Sequence, residues 1–147
     1  MIYRKYPIRK KSDRQNIKDK CFALLREILK IERGNKCEVC GRKANNLGLF
    51  HIISQAQAPC LIFHRQNLLI MCWQSCHFYW HHNQRSVQGQ RVLRKIIELR
   101  GKNWERDLKS LAAIQPKMSA FQMGMYYEAL KSELEFVKKN LTPTKGR

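Results

Sequence analysis

Acidic residues are scarce in this chain. Eleven Asp and Glu stand against 29 Lys and Arg in 147 residues, a formal charge of +18. An excess of that size on one small body makes a polyanion the natural partner. Merely solubilising charge would come with more acid interspersed. Long apolar runs are missing as well. The opening "MIYRKYPIRKKS" has no apolar core of signal-peptide length, and no later stretch approaches membrane-spanning length. A spanning protein is excluded and a cytoplasmic one expected, although a short basic organellar targeting segment would look much the same. An interfacial membrane protein would gather its charge on one amphipathic helix, whereas here Lys and Arg recur from Arg4 to Arg147. No membrane partner is therefore expected, and nucleic acid is. Internal repeats are absent. With 44% apolar and 10% aromatic residues, the chain has the make-up of one folded domain.

Proline is also sparse, and each of the four interrupts a pattern. Pro7 lies in a basic, acid-free segment, residues 1–11, read as a flexible arm carrying Arg4, Lys5, Arg9, Lys10 and Lys11. Residues 12–34 read as an amphipathic helix. Ser12 and Gln15 form a capping-box pattern, Ile17, Cys21, Leu24, Leu25, Ile28 and Ile31 recur at helical spacing, and Gly34 is the stop. Residues 35–84 hold most of the chemistry. They read as a turn-rich knuckle, a strand over Leu47 to Ile53, a loop around Pro59, a second short strand around Leu61 to Phe63, and a helix. Residues 85–140 read as a helical extension. Leu93, Ile96 and Ile97 stop at Gly101, Asn103 caps a helix that Pro116 breaks, and Ser119 with Gln122 opens a last helix. Its inward residues are expected to be Phe121, Tyr126, Leu130, Leu134 and Val137. Residues 141–147, past Pro143, are a tail. The fold class expected is α+β, mostly helical.

Six cysteines in a reducing compartment point to metal before disulfides. Cys37 and Cys40 have the C-x2-C spacing of a zinc knuckle, followed by Gly41. Cys72 and Cys76 begin 32 residues later, spaced C-x3-C, and residues four apart on a helix share a face. Two close pairs suit a closed tetrahedral zinc site. Cys21 and Cys60 have no close partner and read as bystanders.

All five histidines fall between His51 and His82. His77 and His81 are four apart and project together from the expected helix, so one helix offers two imidazoles to an ion. His51 ends an apolar strand, with Ile52 and Ile53 after it; if strand and helix pack together, it faces His77 across a cleft. His64 and His82 read as ordinary core or surface residues.

The series "CEVC", "FHIIS", "HRQNLLIMC" and "CHFYWHHN" resembles the HNH, or ββα-metal, nuclease motif, with His51, Asn67 and His77 as the three matches. More closely, the chain is similar to the phage Rap (NinG) recombination nucleases. Shared features are a basic amphipathic helix before C-x2-C, a residue pair four positions before the loop asparagine (Ile62 and Phe63), an asparagine after the helical metal residue (Asn83), and "IIELRGKNWERDL" with the closing helix. The resemblance implies a ββα-metal core with a structural zinc on Cys37, Cys40, Cys72 and Cys76, and a metal-dependent DNA endonuclease acting on branched recombination intermediates. In that scheme His51 takes the proton from the attacking water. Asn67 orients His51 or reaches the metal. His77, with His81 or Asn83, holds a divalent ion that stabilises charge on the phosphate. Imidazole ligands admit Mn, Ni, Co or Zn beside Mg. A phage-encoded protein would act in the host cytoplasm.

One position departs from the HNH pattern. Many such enzymes carry Asp or His directly before the base histidine as a metal ligand, and here Phe50 stands there. The alternative is accordingly a catalytically decayed zinc protein that binds nucleic acid, or a ribonucleoprotein component. The basic arm and first helix, Arg4 to Lys20, together with Arg85, Arg91, Arg94 and Lys95, are expected to grip the phosphate backbone in either case. Shape recognition is expected over base reading, with DNA before RNA, and a homodimer is one expectation for a junction with two strands to cut.

Overall fold

A computed structural model describes residues 10–141. Arg4, Lys5 and Arg9 of the expected arm, and the tail from residue 142, lie outside the described residues. The protein is α+β and mostly helical, with one two-stranded antiparallel sheet. None of the helices among the described residues is long and apolar enough to cross a membrane.

Helix α1 (Asp13–Glu32) begins where Ser12 Oγ accepts the Gln15 amide at 3.2 Å, satisfying one of the free N–H groups of a helix start. Gln15 does not close the reciprocal box. Its Nε2 donates instead to Asp19 Oδ1 at 2.7 Å. The apolar stripe buries Cys21, Leu25, Ile28 and Leu29. Gly34 (φ 82°) and Asn35 (φ 52°) then turn the chain through left-handed backbone, which glycine and asparagine tolerate best.

Strand β1 (Leu47–His51) pairs with β2 (Leu68–Cys72), Leu47 opposite Cys72 and His51 opposite Leu68. The second strand thus lies seven residues beyond its expected place at Leu61 to Phe63. Pro59 opens a 3-10 turn, Pro59–Leu61, and a second one covers Arg65–Asn67; proline has no amide to give a ladder. All five residues of β2 are buried, so no period-2 alternation announces the strand. A π-helical turn, Trp73–His77, runs directly into α2 (Phe78–His82). Cys72 is therefore a strand residue, and Cys72 and Cys76 do not share a face of one regular helix.

Helix α3 (Val87–Arg100) starts at Ser86, whose Oγ accepts the Gly89 amide at 3.0 Å, and ends at Gly101 with φ 91°. Before α4 (Trp104–Ile114), Asn103 contributes its main-chain carbonyl to the Asp107 amide at 2.9 Å, without a side-chain cap. Helix α5 (Ala120–Leu141) opens on a complete capping box. Ser119 Oγ accepts from Gln122 N at 3.1 Å, and Gln122 Oε1 accepts from Ser119 N at 2.8 Å. It packs along α1 through Met123, Leu130, Leu134 and Val137. Phe121, expected to face inward, is instead 77% exposed. The expected stripe mixed two faces of α5, and Phe121 falls on the side away from α1.

The core gathers α1, α5, β2 and Ile96 around the hairpin. Arg33 Nη1 at 2.7 Å and Arg100 Nη2 at 3.2 Å donate to the same Leu68 carbonyl, fixing the start of β2.

Candidate metal centre and histidine cluster

The four sulfurs of Cys37, Cys40, Cys72 and Cys76 lie within 4.8 Å of one another, and Cys40 Sγ is 3.9 Å from Cys72 Sγ. Four sulfurs around one tetrahedral zinc at its usual bond length stand about 3.8 Å apart, so the cluster fits such an ion. The knuckle is built by main-chain bonds, Gly41 N to Cys37 O at 2.9 Å and Cys37 N to Arg42 O at 3.0 Å, with Gly41 at φ 74°. Glu38 clips the knuckle to the sheet. Its amide donates to Ile70 O at 2.8 Å, and its carboxylate accepts from Ile70 N at 2.7 Å and pairs with Arg33 at 3.0 Å. Across the hairpin, the π turn brings the Cys76 amide to Cys72 Sγ at 3.4 Å.

A hydrogen bond from Cys76, aided by main-chain amides of Cys40, Cys72 and Val39, outweighs burial and pulls the Cys37 thiol down to about 4. The same bond, with burial, pushes Cys76 up. Burial likewise raises Cys40. One thiolate is thus favoured inside the cluster, and a metal ion would displace the remaining thiol protons. The two bystanders cap carbonyls elsewhere, Cys21 Sγ to Met123 O and Cys60 Sγ to Ala112 O, both at 3.4 Å.

Asn67 is fully buried and spends its side chain on the loop. Oδ1 accepts from Ile53 N at 2.8 Å, and Nδ2 donates to Ile53 O at 3.1 Å and to Leu61 O at 3.5 Å. Its carbonyl also accepts from Ile52 N at 2.8 Å. The Asn67 side chain thus bonds to the loop main chain, at Ile53 and Leu61. The loop so held carries Ile62, whose carbonyl lies 3.0 Å from His51 Nε2. A carbonyl only accepts, so the proton of neutral His51 sits on Nε2 and Nδ1 keeps the free lone pair. Phe22 of α1 stacks on the same ring with centroids 5.4 Å apart. Burial lowers the His51 pKa more than the Ile62 carbonyl raises it.

His77 is pressed against Phe50, ring centroids 3.7 Å apart and planes 16° apart. Trp73 stands at 5.0 Å and His81 at 4.8 Å from it. Burial, then His81 and His82, hold His77 down to about 4, leaving it neutral at neutral pH. Burial also lowers His81, against a hydrogen bond to the main-chain carbonyl of His51. Three histidines are thereby linked in a chain, His77 to His81 by ring contact and His81 to His51 through that carbonyl. They do not gather as the cysteines do. Among the described residues, the four cysteines alone form a close group of three or more metal-ligating side chains. Asn83 closes α2 through its amide to Tyr79 O at 3.1 Å and is exposed. His64 has a buried Nδ1 without a partner, and the His82 ring lies tilted against Phe78 with centroids 5.1 Å apart.

Lys10, Arg85, Arg91 and Arg94 are exposed. Lys11 pairs with Asp19 at 2.8 Å and Lys95 with Glu98 at 3.1 Å, so those two cations are partly neutralised. Sequence reading took in Lys18 only within the basic span Arg4 to Lys20, and passed over Phe22 and Arg26. Their spacing of four along α1 was the available signal, since such residues share a helix face, and that face looks at His51.

Comparison of the chain with protein-family models, curated proteins and solved structures finds no match.

Proposed function

We propose that this protein is a metal-dependent DNA endonuclease of the HNH type. The observation that carries the reading is His51. Its Nε2–H is fixed on the Ile62 carbonyl at 3.0 Å, its Nδ1 is free to accept a proton, and its own carbonyl contacts His81, next to His77. Strand, Asn-clamped loop, strand and helix, braced by a cysteine cluster, occur here in the order of the resemblance. In the reaction, His51 Nδ1 takes a proton from water as the water oxygen bonds to phosphorus, and the departing oxygen leaves with the bonding pair and is protonated by solvent. His77 and His81, with Asn83 after them, are the residues that would hold a divalent ion, which supplies positive charge to the phosphate. Branched DNA as substrate, and phage recombination as setting, rest on the resemblance alone.

A second reading is favoured by Phe50. Its ring covers His77 at 3.7 Å from the position where HNH enzymes carry a ligand. A zinc-braced protein that binds nucleic acid without cutting it would have this arrangement.

Supercoiled plasmid and a four-way junction, incubated with Mg or Mn, test the first reading. His51→Ala is expected to lower cleavage at least about 100-fold, the usual worth of a positioned base. Equal cleavage by wild type and variant removes His51 as the base, and binding without cleavage by the wild type supports the second reading.

A further inference from the structure

His51 lines a cavity of about 390 Å³ between α1 and the loop after β1. Gln15, Lys18, Phe22 and Arg26 of α1 form one wall, and His51 and Ile62 belong to the other. Lys18, Phe22 and Arg26 succeed one another at one-turn intervals, so both cations flank the ring that stacks on His51. Neither Lys18 nor Arg26 makes an ion pair among the described residues. The carboxylate in the same wall, Asp19, is engaged by Lys11 at 2.8 Å and Gln15 at 2.7 Å, so the unspent charge of the cavity is positive. The larger groove along Trp80 and Trp104 lacks this character. Its one cation, Lys109, is paired with Glu105 at 2.7 Å.

We infer that this cavity receives a phosphodiester of a nucleic-acid backbone, with Lys18 and Arg26 holding its anionic oxygens beside His51. The volume accommodates a phosphate with part of its sugar. A Lys ammonium and an Arg guanidinium on one helix face are the groups that bind such oxygens by point charge and by paired N–H bonds. The assignment deepens the nuclease reading by naming its substrate contacts, and rests on that reading only where cleavage is concerned.

The test uses the full chain with zinc bound, titrated with a fluorescein-labelled four-way junction by anisotropy across a salt series. Variants are Lys18→Gln, Arg26→Gln, their double, and Lys117→Gln as an exposed control outside the cavity. The double variant is expected to reduce the slope of log K against log salt by about 1.8, at about 0.9 per contact. Side-chain 15N spectra of His51 on addition of the dinucleotide pTpT are expected to shift in wild type and not in the double variant. Titrations and spectra of the double variant that match Lys117→Gln overturn the assignment. Plasmid cleavage is measured in parallel. Wild-type cleavage with unaltered binding by the double variant leaves the nuclease and removes the cavity, whereas lost binding with no wild-type cleavage does the reverse.

Discussion

Asn67 grips Ile53 from both sides, taking its amide at 2.8 Å and returning a hydrogen bond to its carbonyl at 3.1 Å. The second residue past the short strand that ends in His51 is thereby tied to the residue before β2. The segment between them presents the Ile62 carbonyl to His51. Asn67→Ala leaves two buried backbone groups of Ile53 without partners and is expected to destabilise the fold by roughly 2–4 kcal/mol. Urea titration with zinc held constant measures this. A change near zero would show that the loop holds its shape by other means.

The cysteine cluster is expected to take one zinc per chain. Cys72→Ser should abolish tight binding, while Cys21→Ser and Cys60→Ser, whose sulfurs cap carbonyls elsewhere, should leave metal content unchanged. Because Cys40 and Cys76 are pushed up and Cys37 is pulled down, binding should release roughly two to three protons per ion. Calorimetry in buffers of different ionisation enthalpy counts them; no dependence on buffer would contradict the ligand set.

Gly48 owes its place to Phe50. A β-carbon there would stand 2.6 Å from the Phe50 ring, which is itself wedged on His77. Gly48→Ala is expected to lose about 1–3 kcal/mol by overpacking, and Gly48→Ala with Phe50→Leu to regain much of it. A thermal-melt double-mutant cycle reads the coupling, and additive losses would mean the two positions do not interact.

Acid should weaken the fold partly through His77. Its folded pKa, about 4, lies below the ordinary histidine value near 6.5. The unfolded chain therefore binds the proton first as pH falls. This contribution to stability is complete above about pH 6.5 and fades as pH drops toward 4. His77→Gln should make the fall of the urea midpoint over that window shallower than in wild type. Parallel curves would show that His77 titrates normally.

Local signals in the sequence survived folding better than distributed ones. The two cysteine pairs met because each is set by a short turn, and Ser12 and Ser119 each took a capping bond within three residues. Strand β2 was illegible because all five of its residues are buried, leaving an apolar run with no alternation to distinguish it from the start of the next helix. Phe121 went astray because α5 carries apolar residues on both sides. Met123, Leu130 and Leu134 face α1, while Phe121, Met125 and Phe136 face out. The cavity beside His51 was hidden for another reason. It joins α1 to His51 and the loop after it, across 25 or more residues from Arg26 onward, a distance over which no periodicity speaks.

The pairing of α1 with α5 has a consequence for how the molecule comes into being. The Cys21 sulfur reaches the Met123 carbonyl across 102 residues of sequence, so α1 leaves the ribosome long before its mate exists. The hairpin with its cysteine staple closes over much shorter spans and can assemble early, while the stripe of α1 waits uncovered. At translation speeds of about 5–20 residues per second, 102 residues take about 5–20 seconds. During that wait, the greasy side of α1 is open to chaperones, and a metal ion held by the cysteine cluster would brace the hairpin before α5 arrives.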